Sequence, residues 1–318
     1  MIALWGPSRD QPLAAVRTEL EHAGAAAVVI DQGAILATEV RLSTGRDVRG
    51  FVRAPGLELD LARVSALYVR TYDSHRLPSV ASAGPDSPAW QHASAVDDAL
   101  STFAQLTPAL VLNRPFDDAS NASKPYQLRP IRDAGFSVPD TVVTTDPATA
   151  LEFWERHRDV VYKSASAMRS RVTRLAEEHR ERLTDVAWCP TQFQRWIDGV
   201  DHRVHVVGEE LFACAVRSQL DDYRFAESGD ALEMEPVTLP ADVAERCLKL
   251  SRTLHLPLAG IDLRQTVDGE WYCFEVNPAP HFSYYEEITA QPIAAAVARL
   301  LRSVDRASTR TRRRAVAA

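Results

Sequence analysis

The sequence predicts an α/β protein built from α+β lobes, and three observations carry that expectation. Short apolar runs alternate with helical periodicity in the first third, strands joined by turn signals dominate the last third, and 318 residues are enough for two or three lobes. Hydrophobic residues make up 46% and charged residues 25%, a balance that suits a soluble globular chain rather than a disordered one. The net charge of −7 gives no reason to expect nucleic acid or an anionic membrane as a partner. No apolar run reaches the ~18 residues of a membrane span. The opening MIALWGPSRD lacks a charged leader and a cleavage site, so the expected location is cytoplasmic. Cys189, Cys214, Cys247 and Cys273 form no C-x-x-C pair, which argues against a disulfide framework or a zinc site and for small buried residues.

A strand over 2–5, a helix over 11–23 and an apolar run over 26–30 open the chain as a βαβ unit. Gly6-Pro7-Ser8 after the first strand holds one glycine, far short of a G-x-G-x-x-G phosphate loop. Turn signals at Thr44-Gly45 and Pro55-Gly56 suggest hairpins within 34–64, and a third strand covers 66–71. A loop over 77–88 and a helix over 89–106 complete a first lobe ending near residue 108. A strand at Val111, the loop NRPFDDASNASKP, a helix over 126–134 and a strand over 141–144 follow. Asp146-Pro147 starts a helix through His157. A strand over 160–163 then enters the polar loop 164–171, and 172–187 is too mixed to assign. Two strands within 191–207 are separated by Asp198-Gly199, and a third covers 211–218. A helix over 241–254, a hairpin and a helix over 292–304 lead to a basic tail, 305–318, too poor in apolar residues to be ordered.

The hairpin is the most informative segment. In AGIDLRQTVDGEWYCFEVNPAP, Asp268-Gly269 suits a two-residue type I′ turn, which pairs 267 with 270 and therefore 264 with 273 and 262 with 275. Alternation places Asp262, Arg264, Glu275 and Asn277 on one face. Carboxylates directly opposite lie ~5 Å apart at Cβ and repel each other unless a cation sits between them. Two carboxylates and an amide suit magnesium held against phosphates rather than zinc.

Other residues gain meaning from this hairpin. Lys163 ends an apolar strand and can reach a phosphate, Lys124 precedes a helix whose N–H groups could serve the same anion, and Arg203 and His205 share the polar face of their strand. The order of two spaced lysines, the segments CPTQFQRWIDGVDHRVHVVGEELFACAVRSQ and AGIDLRQTVDGEWYCFEVNPAP, and the G-x-D followed by E-V-N-P resembles the ATP-grasp superfamily, nearest the ribosomal-protein glutamylating and microviridin-type peptide ligases. The resemblance spans about residues 110–303 and implies an ATP-grasp fold behind an N-terminal pre-ATP-grasp α/β domain. The implied divisions are 1–108, a central lobe 109–190, a C-terminal lobe 191–304 and the tail.

Carried over by position, the resemblance implies ATP and two magnesium ions as cofactors. Asp262, Glu275 and Asn277 would hold the metal, and Lys124 and Lys163 the phosphates. Gln194, Arg195, Trp196 and Ile197 would cup adenine, with Asp201 at the ribose. Arg203 would approach the γ-phosphate, and Arg217 and Arg264 the reacting carboxylate or acyl phosphate. The loop after Lys163, SASAMRSR, lacks the glycines many relatives have, and Arg195 stands where many carry glutamate. His281, just past the metal residues, is a candidate base or a structural loop histidine.

The implied activity is an ATP-dependent carboxylate–amine ligase working through an acyl phosphate on amino-acid or small-peptide substrates. A microviridin-like macrocyclase that modifies a peptide is the alternative, and a non-catalytic ATP-binding or interaction protein is the reading of another class. A homo-oligomer is compatible with the sequence.

Overall fold

The alternation in the first third builds a parallel sheet. In the computed structural model, β1 (Ile2–Gly6), α1 (Gln11–His22) and β2 (Ala27–Asp31) form the expected βαβ unit, with Asp10 capping α1 by accepting from the Leu13 N–H at 2.9 Å. The structure describes residues 1–118, 124–164, 172–218, 220 and 231–316, excepting the side chains of 118, 124, 164 and 305–316. An antiparallel meander follows, β3 (Glu39–Thr44), β4 (Val48–Ala54) and β5 (Leu57–Asp60), turning where Thr44-Gly45 and Pro55-Gly56 predict. Next come β6 (Ala66–Val69), a short α2 (Pro78–Ala81) inside the expected loop, α3 (Pro88–Leu106), β7 (Leu110–Leu112) and α4 (Pro115–Asp118). The sheet order is β2-β1-β6-β7, all parallel, and Trp5, Leu67, Leu100 and Phe103 belong to its core.

The second unit covers 118–255 and 259–280. It holds α5 (Lys124–Ala134), β8 (Thr141–Thr144), α6 (Pro147–His157), β9 (Val160–Ser164), β10 (Thr173–Arg174) and β11 (Thr191–Arg195). These strands form an antiparallel sheet in the order β10-β9-β11-β8, packed on α6 through Ala150, Phe153, Val160 and Phe193. A five-stranded sheet then comprises β12 (Val200–Val207), β13 (Glu210–Ser218), β14 (Leu232–Val237), β15 (Leu258–Gln265) and β16 (Trp271–Asn277), with α7 (Ala241–Thr253) between β14 and β15 in sequence. Its order is β14-β13-β12-β15-β16. Strand β14 contains Pro236, which argues against a strand in the sequence, and no element is expected there from sequence alone.

The closing segment, α8 (Ser283–Thr289) and α9 (Ile293–Val316), belongs to the first unit, where α9 packs on α1, β1 and β6. The sequence places this helix in the C-terminal lobe, ends it at 304 and predicts a disordered tail. The backbone helix instead continues to Val316, and no glycine or proline interrupts 293–316. Among the described residues no helix is long and apolar enough to cross a membrane.

Candidate active site

The hairpin reaches the expected pairing by a different route. Thr266–Gly269 forms the turn, with Gly269 N–H donating to the Thr266 carbonyl at 3.0 Å and Thr266 N–H to the Glu270 carbonyl at 2.9 Å, so three residues rather than two cross the loop. Gly269 sits at φ +82°, the left-handed position such a loop requires. The extra residue shifts the register by one, pairing Arg264 with Tyr272 and Leu263 with Cys273. An irregularity between Asp262 and Leu263 skips Phe274 and brings Asp262 opposite Glu275 after all. Gln127 of α5 braces this edge strand, its amide donating to the Val276 carbonyl at 2.8 Å and accepting from the Val276 N–H at 2.9 Å.

A cleft lies around the carboxylates. Lys163, Gln194, Arg195, Trp196, Ile197 and Asp201 all line it, as do Asp262, Glu275 and Arg264. The side chain of Lys124 and the loop 165–171 lie outside the described residues. Arg217, on β13, is exposed and pairs with Glu235 at 3.1 Å, away from the cleft lining. Asn277 is likewise not in the lining, and its Oδ1 accepts from the Ala279 N–H at 2.9 Å. His281 falls in the first unit.

Arg264 is bound into the wall. Its Nε and Nη2 donate to the two oxygens of Asp201 at 2.8 and 2.9 Å, and Nη1 donates to the Ile197 carbonyl at 2.8 Å. The guanidinium lies between Trp196 (4.4 Å) and Phe274 (5.2 Å), and Arg174 covers Trp196 at 3.8 Å. Burial pushes the Asp201 carboxyl up against the pull of Arg264. The wall thereby fixes the segment between β11 and β12, where Gly199 is required because a Cβ would stand 2.2 Å from the Gln265 carbonyl oxygen.

Arg203 lies beneath the carboxylates, 4% exposed, with Nη1 donating to Asp262 Oδ1 at 2.6 Å. Gly260, the glycine of G-x-D, makes this possible, because a Cβ there would stand 2.0 Å from Arg203 Nη2. In the sequence that glycine is legible only as a signature. Arg203 Nε also meets His205 Nε2 at 3.4 Å, and burial, reinforced by the guanidinium, holds His205 well below the ordinary imidazole pKa.

Among the described residues no three His, Cys, Asp or Glu side chains gather as a metal cluster. The hairpin offers instead two opposed carboxylates lining one cleft, with Asn277 two residues past Glu275, and all-oxygen donors of this kind fit magnesium. All four cysteines are free. Cys214, Cys247 and Cys273 are buried as expected, whereas Cys189, just before β11, is exposed.

A sequence profile of the RimK-like ATP-grasp domain matches residues 131–301, more than half of the chain. The protein belongs to the RimK-like ATP-grasp family. No curated protein matches it in sequence. Solved structures do resemble this RimK-like ATP-grasp ligase. Macrocyclase MdnC from Microcystis aeruginosa MRC, bound with precursor peptide MdnA, superposes with a TM-score of 0.82 at 23% identity, over 95% of this chain and 99% of that one. ATP-grasp ligase PsnB, complexed with minimal precursor, Mg and ADP, gives 0.78 at 25% identity over 95% and 96%. An ATP-grasp ligase associated with ribosomally made peptides in Chryseobacterium gregarium, complexed with ADP and a leader and core peptide, gives 0.78 at 22% over 95% and 96%. The ATP-grasp fold expected from the sequence is therefore present, in an enzyme of the ligase class that forms carbon–nitrogen bonds.

Proposed function

We propose that this RimK-like ATP-grasp ligase uses MgATP to activate a carboxylate of a peptide and joins it to an amine, the peptide-modifying reading rather than the small amino-acid one. The observation that carries the ligase chemistry is a single cleft lined by Lys163, the segment 194–197 and the opposed Asp262 and Glu275. Similarity over nearly the full length of a macrocyclase and of ATP-grasp ligases solved with precursor peptides supports the peptide as substrate.

In this reading the base lies against the segment 194–197, and the wall built by Asp201, Arg264 and Trp196 keeps that segment in place. Lys163 and Lys124 meet phosphate oxygens as point charges. Asp262 and Glu275, with Asn277, would hold magnesium, which when bound neutralises phosphate charge that opposes an approaching carboxylate. Arg203 keeps Asp262 turned to the cleft and adds positive charge behind it. The substrate carboxylate attacks the γ-phosphorus and ADP leaves. The resulting acyl phosphate is attacked by the amine, which loses a proton as phosphate departs. Arg264, whose Nε, Nη1 and Nη2 all bond to the wall, serves position rather than the reacting group, and Arg217 is assigned no step.

Mass spectrometry tests the reading. A peptide carrying Glu and Lys side chains, incubated with enzyme and MgATP, is expected to lose one water for each ADP formed. A gain of one amino-acid residue in the presence of a free amino acid would favour the small-substrate reading, and a protein that binds no MgATP would refute both.

A further inference from the structure

Arg203 can serve the cleft only if its guanidinium is held in one rotation, and β12 supplies the means two residues on. His205 shares the face of Arg203 and is 1% exposed, so its ring nitrogens have no access to solvent. A buried imidazole is costly unless its polar atoms are paired, and an aliphatic residue would fill the same space without that cost. His205 Nε2 stands 3.4 Å from Arg203 Nε. A guanidinium can only donate, so Nε2 must carry the lone pair and the ring must be neutral with its proton on Nδ1.

The acceptor on Nε constrains the rest of the fork. With Nε directed at His205, Nη1 meets Asp262 Oδ1 at 2.6 Å and Nη2 lies over Gly260, in space that a Cβ would take. The guanidinium is thus fixed by an acceptor on one edge, a carboxylate on another and a bare backbone beside it. An arginine without the first contact keeps its charge but regains rotamer freedom, and Asp262 loses a fixed partner.

We propose that His205 is a positioning residue, a buried neutral acceptor that sets the rotation of Arg203 and through it the aim of Asp262 into the cleft. The proposal rests on the ligase reading, in which Asp262 serves the metal–nucleotide complex.

The test is a double-mutant cycle read by calorimetric binding of AMPPNP with magnesium, so no peptide substrate is needed. His205→Leu is expected to weaken binding about tenfold in the wild-type background but no more than about twofold in Arg203→Lys, which keeps the charge and loses the fork. His205→Gln, whose carbonyl restores an acceptor, is expected within about threefold of wild type. Equal losses in both backgrounds, or none from His205→Leu, would overturn the proposal. Should His205→Leu not fold, Gln and the shorter Asn are compared instead, and equal affinities for the two overturn it. A wild-type protein that binds no AMPPNP refutes the ligase reading itself, whereas additivity in a protein that binds it refutes only the role of His205.

Discussion

Gly260→Ala turns the packing beneath the carboxylates into a measurable quantity. The added Cβ would stand 2.0 Å from Arg203 Nη2, 2.6 Å from Cζ and 2.8 Å from the Pro280 Cβ. Ordinary contact needs about 3.5–4.0 Å, so the guanidinium must retreat by more than an ångström. Arg203 has no solvent to retreat into. Overpacking of a core site costs about 1–3 kcal/mol, and a lost charge-assisted hydrogen bond about 1.5–3 kcal/mol. The two together give roughly 2.5–6 kcal/mol, which corresponds to a melting temperature lower by roughly 5–15 °C. Circular dichroism melts read this directly, with Gly45→Ala as the control because nothing lies within 4 Å of its added Cβ. AMPPNP affinity should fall in the same variant. A Gly260→Ala protein that melts within about 1 °C of wild type and binds nucleotide normally would refute the argument that the glycine exists to admit Arg203.

Glu275→Gln is expected to leave metal-free melting within about 2 °C of wild type, because Arg203 already offsets the charge of Asp262, while magnesium-supported ADP formation falls by about 100-fold or more. Lys163→Ala should weaken MgATP binding by about tenfold or more in calorimetry, with an unchanged far-ultraviolet spectrum. Burial lowers the pKa of both His202 and His205. The unfolded chain then takes up protons first as pH falls below about 6.5, so stability is complete above that value and lost below it, by up to about 1.4 kcal/mol per pH unit for each histidine. Denaturant titrations from pH 7 to pH 5 should show this slope, reduced in His205→Gln. Removing residues 305–318 should leave the melting temperature unchanged, since the stretch DRASTRTRRRAVAA is basic and has little apolar surface to add to a core.

Local chemistry made much of this legible. Asp146 stands where a helix cap belongs, Thr44-Gly45 and Pro55-Gly56 turn the meander, and Lys163, the segment 194–197 and the two carboxylates, singled out by motif, line one cleft. Contacts across the sheets were not legible. The Arg203–Asp262 pair joins β12 to β15, and the Arg264–Asp201 pair joins the same two strands, which are more than fifty residues apart in sequence. Arg264 looked like a reacting group because sequence shows a charge and not its partners. Gln127, a plain helix residue in the sequence, is a backbone partner for β16 only once the fold brings them together.

The hairpin also constrains how lineages of this chain can gain and lose residues. Its loop is one residue longer than the tightest turn, and β16 carries one unpaired residue, Phe274, before the carboxylate. The two irregularities cancel. Deleting Phe274 alone would remove the irregularity and still set Glu275 opposite Asp262, next to the pair 263–273, and deleting one loop residue alone would leave the pairs 265–271 to 263–273 as they are. Deleting both would leave Asp262 facing Glu275 with a shorter ribbon. Single-residue length changes at these two places should therefore be tolerated, whereas a one-residue slip of β16 along β15 would turn Glu275 away from Asp262.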